Sequence, residues 1–137
     1  MSKPIPPVSN YMTTCPITVV QETPLKDAHR LMRERGFRHL PVLEDGTLMG
    51  LLSDRDVALA LSLGDADASK LLVSDAMTPR PFTVAPDSPL DSVAEELAER
   101  KIGSAVVVDH NRVVGVFTAT DALTALAQLL RTRLAKA

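Results

Sequence analysis

Two pairs of side chains in the sequence have the types and the spacing to bind an oxygen-rich ligand. Ser53 is followed three residues later by Asp56, and Thr118 is followed at the same distance by Asp121. Each pair stands where an apolar run gives way to apolar residues at helical spacing, which predicts a strand leading into a helix. The first turn of a helix has unpaired N–H groups that attract anions. A carboxylate accepts charge-assisted hydrogen bonds from two neighbouring hydroxyls, so each pair is a candidate binding site.

The same residue types at this spacing also form helix caps. In such a cap the hydroxyl and the carboxylate satisfy the N–H groups of their own first turn, and the pair needs no ligand. A carboxylate has several lone pairs, so capping and binding can coexist. The sequence leaves both roles open for Asp56 and Asp121.

The two pairs are equivalent positions of an internal repeat. A shift of 65 residues aligns Val8–Leu61 with Val73–Leu126 without a gap. We therefore divide the chain into an N-terminal arm (1–7), a first repeat (8–63), a linker (64–72) and a second repeat (73–137). The repeats should share one local structure. The identical pairs include Met12/Met77, Thr13/Thr78, Pro16/Pro81, Pro24/Pro89, Val42/Val107, Gly50/Gly115 and Asp56/Asp121.

Each repeat predicts the order strand, helix, strand, strand, helix. The opening residues, from Val8 or Val73, indicate a helical or turn segment that ends at Pro16 or Pro81. Thr23 and Ser88 are expected to cap the first helices, with the following proline at the first helical position. Strands joined by polar turns then form a hairpin. The expected strands are Ile17–Val20, Leu40–Leu43 and Leu48–Leu52, then Phe82–Val84, Ala105–Val108 and Val113–Phe117; the second helices are Asp56–Leu63 and Ala119 to about Lys136.

The fold class that follows is α+β. One repeat has too small a sheet to bury both of its faces. We therefore expect the two β-α-β-β-α repeats to pack through their sheets, related by a pseudo-twofold axis, as one integrated module.

Composition excludes several classes of function. Aromatic residues make up 3% of the 137 residues and the formal charge is −2, so extended nucleic-acid binding is not expected. Cys15 is the single cysteine, which favours a reducing cytoplasm. No apolar run approaches the length of a membrane span or a signal peptide. His29 and His110 lack metal-ligand partners at useful spacing, and no nucleophile with a base can be argued, so we expect neither a metal site nor an enzyme.

The chain resembles a stand-alone pair of cystathionine-β-synthase-type (CBS) domains, also called a Bateman module. The resemblance covers almost the whole chain. It is carried by the gapless repeat, by Met12-Thr13 and Met77-Thr78, by Arg38–Val42, and by Gly-x-x-[Ser/Thr]-x-x-Asp at Gly50–Asp56 and Gly115–Asp121.

The resemblance implies regulatory binding of adenosine-containing ligands, namely AMP, ADP or ATP, or S-adenosylmethionine or NAD, in clefts between the repeats. It implies no tightly bound cofactor, with Mg²⁺ expected only beside ATP, and it implies a homodimer that relays occupancy to an effector protein. The alternative is a ligand-free dimerisation or interaction module with vestigial clefts. The implied ligand-binding residues are Asp56 and Asp121 for ribose, Ser53 and Thr118 beside ribose or phosphate, Thr18, Val19, Thr83 and Val84 at adenine, Arg38 and His39 at phosphate, and Pro41 within the same motif.

Two features distinguish the repeats. Arg38 and His39 in the first repeat correspond to Gly103 and Ser104 in the second, which predicts inequivalent sites. Arg55 either reaches a phosphate or pairs with Asp54 on the surface, and the surface pair is the expected state. The last helix carries a longer leucine stripe than one repeat needs, so its excess is expected to contact a second copy or a partner.

Overall fold

A computed structural model describes residues 4–14, 17–63 and 68–135. Its chain forms two compact units. We call residues 15–81 the central unit, and residues 1–14 together with 82–137 the terminal unit. Short 3₁₀ turns occupy Val8–Asn10 and Ala68–Lys70. The remaining elements are β1 (Thr13–Thr14), β2 (Val19–Val20), α1 (Leu25–Arg35), β3 (His39–Glu44), β4 (Thr47–Ser53), α2 (Asp54–Ser62), α3 (Val73–Ala76), β5 (Thr78–Pro79), β6 (Thr83–Val84), α4 (Leu90–Arg100), β7 (Ser104–Asp109), β8 (Arg112–Thr118) and α5 (Ala119–Ala135).

Each unit contains one four-stranded sheet. The strand order is β2-β3-β4-β5 in the central unit and β1-β8-β7-β6 in the terminal unit. In both sheets the hairpin is antiparallel, and the strand before the first helix joins it in parallel. The α+β class, the hairpins and the helices between them are therefore confirmed.

Each sheet has its own apolar core, as the helical stripes predict. The buried side chains of α1 are Leu25, Ala28 and Met32, which pack with β3 and β4 residues such as Leu40 and Leu52. The terminal unit repeats this arrangement with Leu90, Val93 and Leu97 of α4 around Phe117 of β8. Burial of these apolar side chains is the main stabilising term of each unit.

The opening segment of each repeat lies in the unit built from the other repeat. β1 pairs with β8, with Thr13 opposite Val116, and β5 pairs with β4, with Thr78 opposite Leu51. The compact units consequently differ from the sequence repeats. The sequence indicates only a helical or turn segment here, because a two-residue strand is too short to show the alternation by which strands are recognised. Cys15, Pro16 and the first part of the linker, residues 64–67, lie outside the described residues.

The exchanged segments also change how the first helices begin. Leu25 N donates to Leu71 O at 2.8 Å, and Leu90 N donates to Pro6 O at 2.9 Å, so the backbone just before each exchanged segment supplies an acceptor at a helix start. The prediction that Thr23 and Ser88 cap these helices is wrong. Their hydroxyls instead accept from upstream N–H groups, at 3.3 Å and 3.1 Å, and the helices begin one residue after the prolines.

Gly50 and Gly115 allow the exchanged strands to approach closely. A Cβ atom at Gly115 would lie 2.8 Å from Thr13 O and 2.8 Å from the Met12 sulfur. At Gly50 it would lie 2.9 Å from Thr78 O and 2.6 Å from the Met77 sulfur. These distances are shorter than van der Waals contact, so any side chain at either glycine must displace β1 or β5.

We expect Gly115→Ala to lower the free energy of unfolding by about 1 to 3 kcal/mol, because the added methyl overpacks the contact with β1. Gly103→Ala is the matched control, since a Cβ there meets nothing within 4 Å. The control should change stability by less than about 0.5 kcal/mol. Urea unfolding of both variants measures the difference, and equal stabilities would contradict the close-approach explanation.

Candidate functional site

The two predicted residue pairs lie where a hairpin strand ends and a helix begins. We call Ser53–Asp56, between β4 and α2, the Ser53 corner, and Thr118–Asp121, between β8 and α5, the Thr118 corner. Both hydroxyl residues and both aspartates are half-buried. The structure therefore brings each hydroxyl and its carboxylate together, as the spacing predicts.

The Ser53 corner is a complete capping box. Asp56 N donates to Ser53 Oγ at 3.0 Å, and Ser53 N donates to Asp56 Oδ2 at 3.0 Å. The capping role that the sequence left open is thus real. It occupies about one of the four acceptor positions of the Asp56 carboxylate.

The Thr118 corner makes the same two bonds and adds others. Thr118 N donates to Asp121 Oδ2 at 2.9 Å, and Asp121 N donates to Thr118 Oγ1 at 3.2 Å. The Thr118 hydroxyl also donates to Asp121 Oδ2 at 3.1 Å. In addition, Thr13 Oγ1 of β1 donates to Asp121 Oδ1 at 3.0 Å and lies 3.3 Å from Oδ2. The second carboxylate is therefore more fully hydrogen-bonded than the first.

Backbone pairing fixes which residues flank each corner. Asp54 N donates to Arg38 O at 2.9 Å, and His39 lies opposite Ser53 in the sheet. The terminal unit has the same pairing with different side chains: Ala119 N donates to Gly103 O at 2.9 Å, and Ser104 lies opposite Thr118. The backbone beside the Ser53 corner therefore belongs to a residue with a basic side chain, and the equivalent position at the Thr118 corner is a glycine.

The remaining candidates lie on the same sheets but farther from the corners. Val19 pairs with Val42 on β3, so β2 lies two strands from β4, about 10 Å away. Thr18 is exposed, whereas Val19 is buried in the core of the central unit. Pro41 is buried opposite Leu51.

The terminal unit carries the equivalent pair on β6. Thr83 is exposed and lies opposite Val106 of β7, while Val84 packs against the core of that unit. Within the described ranges, the hydroxyls of Thr18 and Thr83 make no hydrogen bond to a residue of either corner.

The prediction of an ion pair between Arg55 and Asp54 is wrong. Both side chains are exposed, and the close contacts between basic and acidic side chains among the described residues join Arg100 to Glu96 and His110 to Asp109. An exposed pair gains little in water and loses side-chain freedom on forming, which explains its absence.

Sequence reasoning missed the part played by Thr13. Met12-Thr13 and Met77-Thr78 are identical in both repeats, and that identity was the available signal. Their role follows from strand pairing between residues more than 100 positions apart in the chain, in the case of Thr13 and Asp121. No local pattern contains that information.

An open groove of about 510 Å³ lies along α1, away from these residues. It is lined by Lys26, His29, Arg30, Arg33 and Glu34, and none of the predicted ligand-binding residues lines it. A search of the described residues finds no cluster of His, Cys, Asp and Glu able to hold a metal ion. The same part of the chain contains no helix with the length and apolarity to cross a membrane.

The repeat, a four-stranded sheet in each unit and the two corners define a tandem repeat with two similar strand-to-helix corners. A family model for the CBS domain matches residues 8–63 and 73–128. The chain belongs to the CBS domain family, so the resemblance drawn from the sequence is confirmed.

Relatives of known sequence differ in length. The CBS domain-containing protein YhcV of Bacillus subtilis is 31% identical over 114 residues, which cover 83% of this chain and 81% of YhcV. L-aspartate semialdehyde sulfurtransferase of Methanocaldococcus jannaschii is 31% identical over 123 residues, which cover 88% of this chain but 23% of that protein. The chain spans about a quarter of the length of the first curated relatives it matches.

Two solved structures similar to this chain contain adenosine compounds. The CBS domain pair of protein MJ0100, in complex with 5′-methylthioadenosine and S-adenosyl-L-methionine, has a TM-score of 0.77 and 28% identity, covering 95% of this chain and 99% of that chain. CBSX2 in complex with AMP has a TM-score of 0.69 and 30% identity, covering 90% of this chain and 97% of that chain.

Proposed function

We propose that this chain is a non-catalytic regulatory module that binds an adenosine-containing ligand, with AMP as the simplest case, at the Ser53 and Thr118 corners. The observation that carries the proposal is that most acceptor positions of the Asp56 carboxylate are free. Its carboxylate is half-buried, stands in the first turn of α2, and within the described ranges accepts from Ser53 N alone. The adenosine compounds bound by MJ0100 and CBSX2 support this class of ligand.

The chemistry of the Ser53 corner suits a ribose. About three acceptor positions of the Asp56 carboxylate remain after capping, and a cis diol needs two. Hydrogen bonds from hydroxyls to a charged group contribute about 1.5 to 3 kcal/mol. A carboxylate repels a phosphate, so the aspartate should face the sugar.

The phosphate of the ligand needs a different partner. Arg38 is exposed, and its carbonyl accepts from Asp54 N at the start of α2, so its side chain is free to extend from a position next to the corner. We assign Arg38 to the phosphate, with His39 and Arg55 as neighbouring donors. Mg²⁺ would accompany only ATP. Thr18 in the central unit, and Thr83 with Val84 in the terminal unit, are assigned to the adenine side. Val19 and Pro41 are buried, so their side chains are not assigned to a ligand contact.

The module is also proposed to form a homodimer through α5 and to report occupancy to an effector protein. Leu123, Leu126 and Leu130 follow one another at spacings of three and four residues on α5 and are 66%, 53% and 49% exposed. An apolar stripe of this kind is typical of helix association, and a second copy supplies a matching stripe. A single cysteine in the sequence suits a reducing compartment such as the cytoplasm.

A second candidate is a ligand-free dimerisation module. The observation that favours it is the internal hydrogen bonding of Asp121, which already satisfies most of that carboxylate. The two candidates differ in whether any adenosine compound binds.

We expect Asp56→Ala to weaken AMP binding at the Ser53 corner about tenfold to a hundredfold, because the diol loses its charged acceptor. Asp54→Ala is the matched control: Asp54 is also an aspartate in the first turn of α2, but it is exposed, and the described residues offer its carboxylate no hydrogen bond. Its removal should leave the affinity within about twofold. Isothermal titration calorimetry with AMP measures both.

The same variants separate binding from capping. Asp56→Ala should unfold cooperatively with a loss of about 1 kcal/mol from the broken capping box. Lost folding together with unchanged affinity in the folded fraction would mean that Asp56 is only a cap. Failure of AMP, ADP, ATP, S-adenosylmethionine and NAD to bind at millimolar concentration would favour the ligand-free module.

For the dimer, we expect Leu126→Glu combined with Leu130→Glu to convert a dimer into a monomer, because two charges would be buried in an apolar contact. Ile102→Glu is the control, since Ile102 is 38% exposed in the same unit but outside α5. Light scattering coupled to size-exclusion chromatography gives the mass. A monomeric wild type, or a dimer that survives the double substitution, would contradict the α5 interface.

A further inference from the structure

We propose that the Thr13 hydroxyl lowers the ligand affinity of the Thr118 corner. The Ser53 corner then binds the ligand first, and the Thr118 corner binds the same ligand more weakly. This inference rests on the proposed function and adds to it an order of occupancy and the residue that sets it. It starts from the observation that the two corners have the same backbone pairing, but their carboxylates accept different numbers of hydrogen bonds.

The first difference lies in the acceptors. Asp121 Oδ1 accepts from Thr13, and Asp121 Oδ2 accepts from both the amide and the hydroxyl of Thr118. About one acceptor position of four remains on this carboxylate, against about three on Asp56. A cis diol needs two acceptors, so at Asp121 it must displace the Thr13 hydroxyl.

The second difference lies in the donors. The Thr118 hydroxyl gives its proton to Asp121 Oδ2. The Ser53 hydroxyl accepts from Asp56 N, and within the described part of the chain its proton has no recorded acceptor. The Ser53 hydroxyl can therefore donate a hydrogen bond to a ligand oxygen directly. The Thr118 hydroxyl must first break its hydrogen bond to Asp121 Oδ2.

The third difference is charge. Arg38 borders the Ser53 corner, and Gly103 holds the equivalent backbone position at the Thr118 corner. Acceptors, donors and charge all favour the same corner. Of these three, only the acceptor difference depends on a residue from the opening segment, and that residue can be substituted without substituting any residue of either corner.

Thr13 has a matched twin in Thr78. Thr13 lies opposite Val116 on β8, and Thr78 lies opposite Leu51 on β4, which are equivalent positions of the repeat. Both threonines are exposed. Only Thr13 bonds a corner aspartate among the described residues, so the same substitution at the two positions isolates that hydrogen bond.

The ligand-free protein tests the hydrogen bond itself. Thr13→Val keeps the shape of the side chain and its preference for a strand, and it should lower Tm by roughly 2 to 4 °C relative to Thr78→Val. Differential scanning calorimetry without nucleotide measures this shift. Equal Tm values would overturn the proposal at its first step.

Calorimetric titration with AMP then tests the ranking. Wild type should show two classes of site separated by about tenfold or more, with Asp56→Ala removing the tighter class. Thr13→Val should strengthen the weaker class about tenfold, and Thr78→Val should change neither. Two equal sites in the wild type, or the same response to both valine substitutions, would overturn the proposal. Absence of AMP binding in every variant, with the Tm difference intact, would instead overturn the proposed function and the ranking that depends on it.

Discussion

The close approach of each exchanged opening segment to a glycine on the neighbouring strand is the constraint on which the rest of the structure depends. At Gly115 the space that a side chain would fill is occupied by Thr13 O and the Met12 sulfur, and Gly50 is covered in the same way by Thr78 and Met77. These contacts seat β1 and β5 as the fourth strand of each sheet. The residues just before these segments, Leu71 and Pro6, supply the carbonyls that accept from the first N–H groups of α1 and α4, so each exchange is accompanied by a hydrogen bond at a helix start.

The exchange also links structure to function. The pairing of β1 with β8 brings Thr13 within hydrogen-bonding distance of Asp121. In the equivalent pairing of β5 with β4, the Asp56 carboxylate accepts a hydrogen bond from Ser53 N. Caps and ligands compete for the same oxygens, because a carboxylate has a limited number of acceptor positions. Two repeats can therefore share the same hairpin register and still have corners with different hydrogen bonding.

Much of this architecture could be predicted from the sequence. The gapless repeat and the apolar periodicity identified both hairpins, the helices and the position of Ser53–Asp56 and Thr118–Asp121, since each depends on neighbours close in the chain. The fourth strands could not be predicted, because β1 and β5 are two residues long. The caps at Thr23 and Ser88 were assigned wrongly because the acceptors for the helix starts come from distant backbone. The Thr13 contact depends on the same distant pairing.

The central claim is that the strand-to-helix corners bind the ribose of an adenosine ligand. Backbone amide chemical shifts, followed by NMR during a titration of the wild-type chain with AMP, test it most directly. The account predicts that the amides of Ser53 and Asp56 shift first and that those of Thr118 and Asp121 follow at higher AMP concentration. Shifts confined to the basic groove at Lys26, Arg30 and Arg33, or none at millimolar AMP, would contradict it.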